Sequence, residues 1–572
     1  MTQRKEQILS DLSKVQPAEA IAETPTSDRW LVIPYEAEGF SGKMLWSPWR
    51  SQPPEVTLPL PDLGLCRIHV GIYGCAETPT WTQQNPRKQT RYHWNRLELR
   101  LSDEDWFDFI LPERFALPAY SYFSESYWKT ANVSGKSLIF APCSRKEACL
   151  DYTTLVTYVR LVPVDYDDTW PRETKRLVNY YDGNFNGHFC QDVSDIKTQI
   201  APLAQSDCDT IFWTTCREDT CLYPTQVGHV LPDHGTPGVY PHWMGRDLHR
   251  MLRRGEDPLK LACDVAHACG LKIFASQRRQ TCRVAPHVFP LHPEALLVGR
   301  PDLRCVDSTG ASVPHLSLAY PEVRQMALDL FGEQTRKYDL DGVHLFWGRG
   351  VPLVLYEPPV IEAFVREFRE DPRNLPKDDP RIYKTRGKVV LTFLRGLRKK
   401  LREVETAKNK KLRMAITVMN NPRVCDYFGM DIQTMVKEEL VDLLIPFPCH
   451  YLPEFLGEWR CTPEAVAEFA AITKGTSVRL IPDCGYDYSE GKVLVEHRAA
   501  AFYDAGADGL QIMQGSVRGF GNKLEDHVHR RLGHRDELGG LNLLRSQIAR
   551  AITIKTIAGL PLDRYQGIVT CG

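Results

Sequence analysis

From Arg176 onward, short apolar runs alternate with stretches whose apolar residues recur at helical spacing. The stretch Lys337 to Arg349, KYDLDGVHLFWGR, holds one whole unit. A charged helix end runs into Asp339-Leu340-Asp341-Gly342, an apolar strand follows, and a loop opens with Arg349, Gly350 and Pro352. Strands are predicted over Leu177–Tyr181, Thr210–Thr214, Lys272–Ser276, Gly342–Trp347, Arg413–Met419, Asp442–Phe447, Ser477–Pro482 and Gly509–Met513. Helices are predicted over Pro258–Ala268, Pro321–Arg336, Pro358–Arg369, Pro463–Thr473 and Lys492–Ala505. Cys269-Gly270 stops the first of these, and Gly506-Ala507-Asp508-Gly509 turns the last into a strand. Eight strands are what a closed (β/α)8 TIM barrel needs. No glycine-rich phosphate loop follows the first strand, which argues against an open dinucleotide-binding sheet.

Residues from about 29 to 165 have a different texture. Trp30–Pro34, Cys66–Tyr73, Arg96–Leu101, Ser137–Phe140 and Thr154–Val162 read as short strands broken by proline and glycine. Leu97, Leu99 and Leu101 alternate with Glu98 and Arg100, the period of a half-buried strand. The pattern predicts a β-sandwich, and it resembles the jelly-roll accessory domains attached to carbohydrate-active enzymes. Residues 1–28 read as a short helix and a polar lead-in, and Asp165–Thr174 as a linker. The expected organisation is a lead-in at 1–28, a β-sandwich at 29–165, and a barrel at 176–572 with a C-terminal extension.

Composition narrows the class. With 572 residues, 25% charged and 43% hydrophobic, the chain has the make-up of a globular protein with room for two to four domains of roughly 150 residues. A formal net charge of −1 gives no global pull toward nucleic acid or acidic membranes, so neither is expected as a partner. No run of about 18 apolar residues predicts a membrane span, and the N-terminus shows no signal-peptide core, so a cytoplasmic location is expected. Seventeen scattered cysteines with no Cys-x-x-Cys pair are expected as reduced, mostly buried thiols. Neither the spacing of Cys425, Cys449, Cys461 and Cys484 nor that of His229, His234 and His242 fits a compact metal motif, so no metal is expected.

Three segments carry a family resemblance. Gly255-Glu-Asp-Pro-Leu-Lys260 with Gly270-Leu-Lys-Ile-Phe-Ala-Ser-Gln-Arg278 resembles strand three of bacterial family-10-like glycosyl hydrolases. Leu316 to Arg324 resembles the segment before their strand four. Tyr356-Glu357-Pro358-Pro359-Val360, with Phe364 and Asp371-Pro372-Arg373, resembles the loop and helix after it. The resemblance covers roughly Arg176 to Gly515. It implies a barrel acting on the glycosidic bonds of a carbohydrate, with no obligatory cofactor. One departure stands out. Relatives often carry acidic residues in a strand-four pattern DG-[apolar]-E-L-D-[aromatic], where this chain has His344 and Phe346.

Glycoside hydrolysis typically uses two carboxyl groups across the scissile bond, one to protonate the leaving oxygen and one as nucleophile or base. In a barrel both belong on loops after the strands. Asp483, directly after strand seven, is the expected nucleophile or base, unless it serves as a turn residue. Glu357, before the helix begun by Pro358-Pro359, is the expected general acid, unless it serves as a favourable charge at the helix start. Asp182, Asn184, Glu218, Asn420, His450 and Asp487 are candidate ligands for sugar hydroxyls, and Asp219 stands beside Glu218. Trp213, Trp243 and Trp347 are candidates for stacking on sugar rings, with a core role as the alternative. Arg278 is a candidate partner for a site carboxylate or an anionic sugar, and Arg349 contributes to a polar pocket near Glu357. His344 is either a substrate ligand or a satisfied core histidine. The rival functions are a carbohydrate-binding barrel without catalysis and a metal-dependent barrel lyase or isomerase.

Overall fold

A computed structural model describes residues 5–47, 51, 53–75, 97–104, 108–110, 121–142, 154–164, 176–181, 193–204, 206–233, 242–279, 292–348, 350–448, 460–484, 495–513, 532–533, 535, 538 and 549–561. The chain divides into two units. One holds the residues up to Val164 together with the strand Ala549–Ile557, and the other spans Arg176 to Met513 and the few described residues from 532 to 538.

The first unit is built from β1 (Trp30–Ala37), β2 (Phe40–Ser47), β3 (Val56–Pro59), β4 (Leu65–Cys75), β5 (Leu97–Leu101), β6 (Asp108–Ile110), β7 (Ser121–Asn132), β8 (Ser137–Ala141) and β9 (Thr154–Pro163). The alternation in β5 is realised: its three leucines are buried, and Glu98 and Arg100 are half-buried. Strands β3, β8, β5 and β6 make a four-stranded antiparallel sheet. It packs Leu58, Leu99 and Phe140 against Ile68, Val70 and Leu161 of a larger sheet. That larger sheet runs β1–β2–β9–β4–β7 and then Ala549–Ile557, which pairs with β7 on one side and with β1 on the other.

One layer of the expected sandwich is therefore a closed ring of six antiparallel strands. Tyr35, Met44, Phe123, Tyr158 and Ile554 cluster together from its strands. Closure removes the open edges of β1 and β7, whose unpaired backbone groups would otherwise face solvent. This differs from the expected organisation in two places. Residues 549–557 belong with the β-unit, not with the barrel. The lead-in is also not a helix. Gln7–Leu9 pairs antiparallel with β9, and two single 3-10 turns follow, with Leu12 and Val15 buried in the core.

The second unit contains all eight of the predicted parallel strands: β10 (Leu177–Tyr181), β11 (Cys208–Arg217), β12 (Lys272–Arg278), β13 (Gly342–Phe346), β14 (Arg413–Val418), β15 (Leu443–Pro446), β16 (Arg479–Leu480) and β17 (Leu510–Met513). Parallel pairing runs from β10 in sequence order to β16, and β17 pairs back onto β10. Between β16 and β17 the contact is carried by an isolated bridge, Asp483 to Gln511. Asp508 N–H donates to Leu480 O at 2.9 Å, and Gln511 N–H donates to Pro482 O at 3.0 Å. These contacts link the end of β16 to β17 without a continuous ladder.

Helices α1 (Val193–Ala204), α2 (His242–Arg253), α3 (Pro258–Ala268), α4 (Pro321–Lys337), α5 (Pro358–Phe368), α6 (Pro380–Lys408), α7 (Pro422–Tyr427), α8 (Ile432–Lys437), α9 (Pro463–Thr473) and α10 (Val495–Asp504) lie between the strands in sequence. Their ends are set by local chemistry. Asp257 accepts from Leu259 N–H at 3.1 Å and Lys260 N–H at 3.3 Å at the start of α3, with Pro258 in the first turn. Asp379 caps α6 in the same way, and Asn409 ends it in the left-handed region at φ 49°.

Among the described residues no helix is long and apolar enough to cross a membrane. No disulfide joins the described cysteines, including Cys216 and Cys221, whose sulfurs lie 3.4 Å apart across a hairpin.

Candidate active site

Alternation along each strand decides which side chains enter the barrel. Val178, Tyr180, Phe212, Phe274, Ala415 and Ile445 form part of one buried cluster, to which Phe346, Phe447, Ile481 and Met513 also belong. Residues two positions along from these share their face. His344 is therefore interior and fully buried. Its Nδ1 lies 2.9 Å from Ser276 Oγ and its Nε2 2.7 Å from Thr417 Oγ1, and its ring stacks on Phe212 at 4.1 Å. Burial pushes its pKa well below the usual value, so the ring is neutral. Of the two readings of His344, this geometry is that of a satisfied core histidine.

The C-terminal ends of β11 and β12 gather buried charge. Arg217 and Arg278 stand opposite each other in register, 1% and 9% exposed. Glu218 follows Arg217 with a left-handed backbone at φ 50°, and its N–H donates to Arg278 O at 3.2 Å. A non-glycine residue held there costs of order 1–3 kcal/mol, and such strain clusters at functional sites. The Glu218 carboxylate lies 3.4 Å from the Arg279 guanidinium, both groups buried. Arg279 also donates to Leu316 O and packs under Gly350, where any Cβ would fall 1.9 Å from the Arg279 Cβ. The loop after β13 can therefore close over Arg279 only with glycine at 350.

Asp219 is 2% exposed, and burial pushes its carboxyl above the usual range. Its Oδ2 accepts from Leu296 N–H at 3.0 Å and lies 3.9 Å from His229 Nε2. Across the barrel, Asp483 follows β16 with its side chain on the same face as Ile481 by alternation. It is 1% exposed, and Gln511 Nε2 donates to its Oδ2 at 2.8 Å.

Glu357 is in a different environment. Its carboxylate accepts from Leu355 N–H at 2.9 and 3.1 Å and from Val306 N–H at 3.1 Å. These bonds tie the start of α5 to the hairpin formed by Arg304–Val306 and Ser312–Leu316. Burial pushes its pKa up, and the backbone donors oppose that shift. Its hydrogen bonding is that of a brace.

The aromatic candidates separate in the same way. Trp213 stacks on Tyr181 at 4.2 Å, and both neighbour interior residues, so they face the helix layer. Trp347 is 1% exposed and meets Phe393 of α6. Both stand as packing residues and not as sugar platforms, because neither offers an open face. Asn420 is buried at the end of β14, where its Nδ2 donates to Arg460 O at 3.1 Å. The backbone of Trp243 lies in α2, and its side chain lies outside the described residues, as do Asp182, Asn184, Arg349, His450 and Asp487.

The structure adds Arg279, Gln511, His292 and Glu294 to the residues worth attention. Gln511 sits inside the predicted strand Gly509–Met513, and the alternation there was the signal that it faces inward. His292 and Glu294 are far in sequence from His229, so no spacing rule could join them.

No family model matches the chain, and no curated protein matches it. Solved structures do. α-L-Fucosidase isoenzyme 2 from Paenibacillus thiaminolyticus is 13% identical over 65% of this chain and 50% of its own, with a TM-score of 0.38. The catalytic domain of β-amylase from Paenibacillus polymyxa is 12% identical over 64% of this chain and 97% of its own, at 0.41. β-Galactosidase from the psychrophilic Marinomonas ef1 is 13% identical over 65% of this chain and 60% of its own, at 0.39. The match thus spans half of the fucosidase and three fifths of the galactosidase. TM-scores this low carry no weight on substrate or mechanism.

Proposed function

We propose that this chain is a (β/α)8-barrel glycoside hydrolase acting on an oligo- or polysaccharide. The observation that carries the reading is the pair of buried acids at the ends of barrel strands, Asp483 after β16 and Glu218 after β11. That face is where barrel enzymes hold their chemistry. The family resemblance of the segments between Gly255 and Arg373 points to the same substrate class. Glu218, whose carboxylate lies 3.4 Å from the Arg279 guanidinium, takes the role of nucleophile or base in this reading. Proton donation to the leaving oxygen then falls to Asp483, beside the Gln511 amide. Glu357, with its carboxylate taken by backbone donors, braces the loop.

Hydrolysis of an oligosaccharide panel tests this assignment. Asp483→Asn and Glu218→Gln are each expected to lower kcat at least ~100-fold, since a positioned acid or base contributes about 10²–10⁴-fold. Glu357→Gln is expected to keep kcat while lowering the melting temperature. Turnover that survives both of the first two changes, in protein with unaltered circular dichroism, overturns the assignment.

One observation favours a second reading, a carbohydrate-binding barrel without catalysis. The interior positions of β13 hold His344 and Phe346, both buried in the core, where the resembled family often carries carboxylates. Calorimetric sugar binding without turnover, unchanged by Asp483→Asn, would select this reading.

A further inference from the structure

Three metal-ligating side chains converge on the loops that follow β11 and β12. A ring nitrogen of His229, a ring nitrogen of His292 and a carboxylate oxygen of Glu294 all lie within 4.8 Å of one another. The two imidazoles stack face to face at 4.5 Å with 9° between their planes. Asp219 lies beside this group, its Oδ2 being 3.9 Å from His229 Nε2. These residues are held by the fold. His292 N–H donates to Thr220 Oγ1 at 3.0 Å, and Glu294 N–H reaches His292 Nδ1 at 3.2 Å. His229 lies on a two-residue strand that pairs with Thr220–Cys221.

A second observation points to a ligand. Asp219 Oδ1 is buried and has no hydrogen-bond partner among the described residues. A buried carboxylate oxygen left unpaired is costly, and native structures avoid it unless an ion or water takes the place. A cation bound through Asp219 Oδ1 would satisfy that oxygen. It would also balance the charges of Asp219 and Glu294.

We propose that His229, His292 and Glu294, with Asp219 drawn in from beside His229, form a binding site for one divalent transition metal, with zinc as the ion that the donor set suits best. Carboxylate oxygens are hard donors that many divalent ions accept, and the two borderline imidazole nitrogens turn the set toward zinc rather than magnesium or calcium. Zinc bonds of about 2.0–2.1 Å put tetrahedral ligands about 3.3–3.5 Å apart. The ring lone pairs lie in the ring planes, so the stacked histidines must rotate out of their parallel arrangement to meet one ion, and as half-exposed side chains they have room to do so, as has the exposed Glu294. Asp219, the buried member, is the fixed point of the site. The site stands on the barrel face that carries Glu218, one residue from Asp219. It does not depend on the chain being a glycoside hydrolase.

Metal content and affinity of the full chain test the proposal without any activity measurement. After chelator treatment and dialysis against zinc, elemental analysis is expected to find about one zinc per chain. Cobalt in its place is expected to give the intense visible bands of a four-coordinate ion. His229→Ala and Glu294→Gln are each expected to weaken zinc binding at least roughly tenfold. Zinc is also expected to raise the melting temperature of the wild type and not that of a His229→Ala/His292→Ala variant. Glu294 is exposed, so its substitution leaves the fold in place and keeps the comparison interpretable. Failure of the wild type to retain zinc overturns the proposal. So does zinc bound with unchanged affinity in both single variants.

Discussion

Glu125 shows what one residue can decide. It is 1% exposed, and it meets Arg160 at 2.6 Å and Arg550 at 2.7 Å, with the Tyr158 hydroxyl donating at 2.9 Å. Burial opposes its charge, but the two guanidinium groups outweigh burial and hold the carboxyl at about 2. Against an ordinary 4.5, that is about 3 kcal/mol of preference for the charged form. Nearby His69 is pushed down to about 3, by burial first and then by Arg160. Both folded-state values lie below the unfolded ones. The stability from His69 is complete above about pH 6.5 and is lost toward pH 3, and that from Glu125 is complete above about 4.5 and is lost toward pH 2. The β-unit is therefore expected to lose stability steadily as pH falls below neutrality, measured by urea unfolding from pH 7 to 3. Glu125→Gln is expected to cost about 3–5 kcal/mol near neutral pH, because it strands two guanidinium groups. It should also flatten the profile below pH 4.5 while leaving the His69 portion.

Glu357 and His344 give the residue-scale lesson about prediction. Each is a polar residue at a position where barrel enzymes keep chemistry, and each turns out to have its hydrogen-bonding capacity used within the fold. A carboxylate braced by backbone and one poised for substrate are the same letter in the chain. Only the donors that reach them differ, and those donors come from Val306, Ser276 and Thr417, distant in sequence.

At the scale of elements, period and punctuation were readable. The predicted helices Pro258–Ala268 and Pro463–Thr473 have those bounds in the structure, because a capping side chain and a proline mark each start. The strand Ala549–Ile557 was not readable in its role. Its sequence ARAITIKTI alternates as a strand should, but nothing local says that it pairs with residues more than 400 positions earlier. Its place as the sixth strand of the ring makes a sharp expectation. Truncation after residue 539 opens the edges of β1 and β7 and removes Arg550 from Glu125. The truncated protein is expected to aggregate or to lose the β-unit transition in calorimetry. A soluble truncation with that transition intact would contradict the pairing.

At the scale of the molecule, the near balance of 71 basic and 72 acidic residues holds. It predicts negligible binding to duplex DNA at physiological salt, checked by fluorescence anisotropy. The charges that matter are instead concentrated at the ends of β11 and β12, where Arg217, Glu218, Asp219, Arg278 and Arg279 are all buried. Their consecutive positions in the chain made them visible as polar letters after strands. Their meeting across two strands, and the arrival of His292 and Glu294 beside His229, required the tertiary fold.

The sequence by itself determined the periodicity, and with it the eight parallel strands, five of the helices and the change of texture near residue 165. Those are local consequences of side-chain alternation, capping and turn chemistry. The tertiary structure alone decided which of the polar residues face a partner already supplied by the fold. It also decided that a C-terminal strand belongs to an N-terminal ring, and that two histidines and one acid from separate loops lie close together. Burial and hydrogen-bond satisfaction are properties of contacts between distant segments, and no window along the chain contains them.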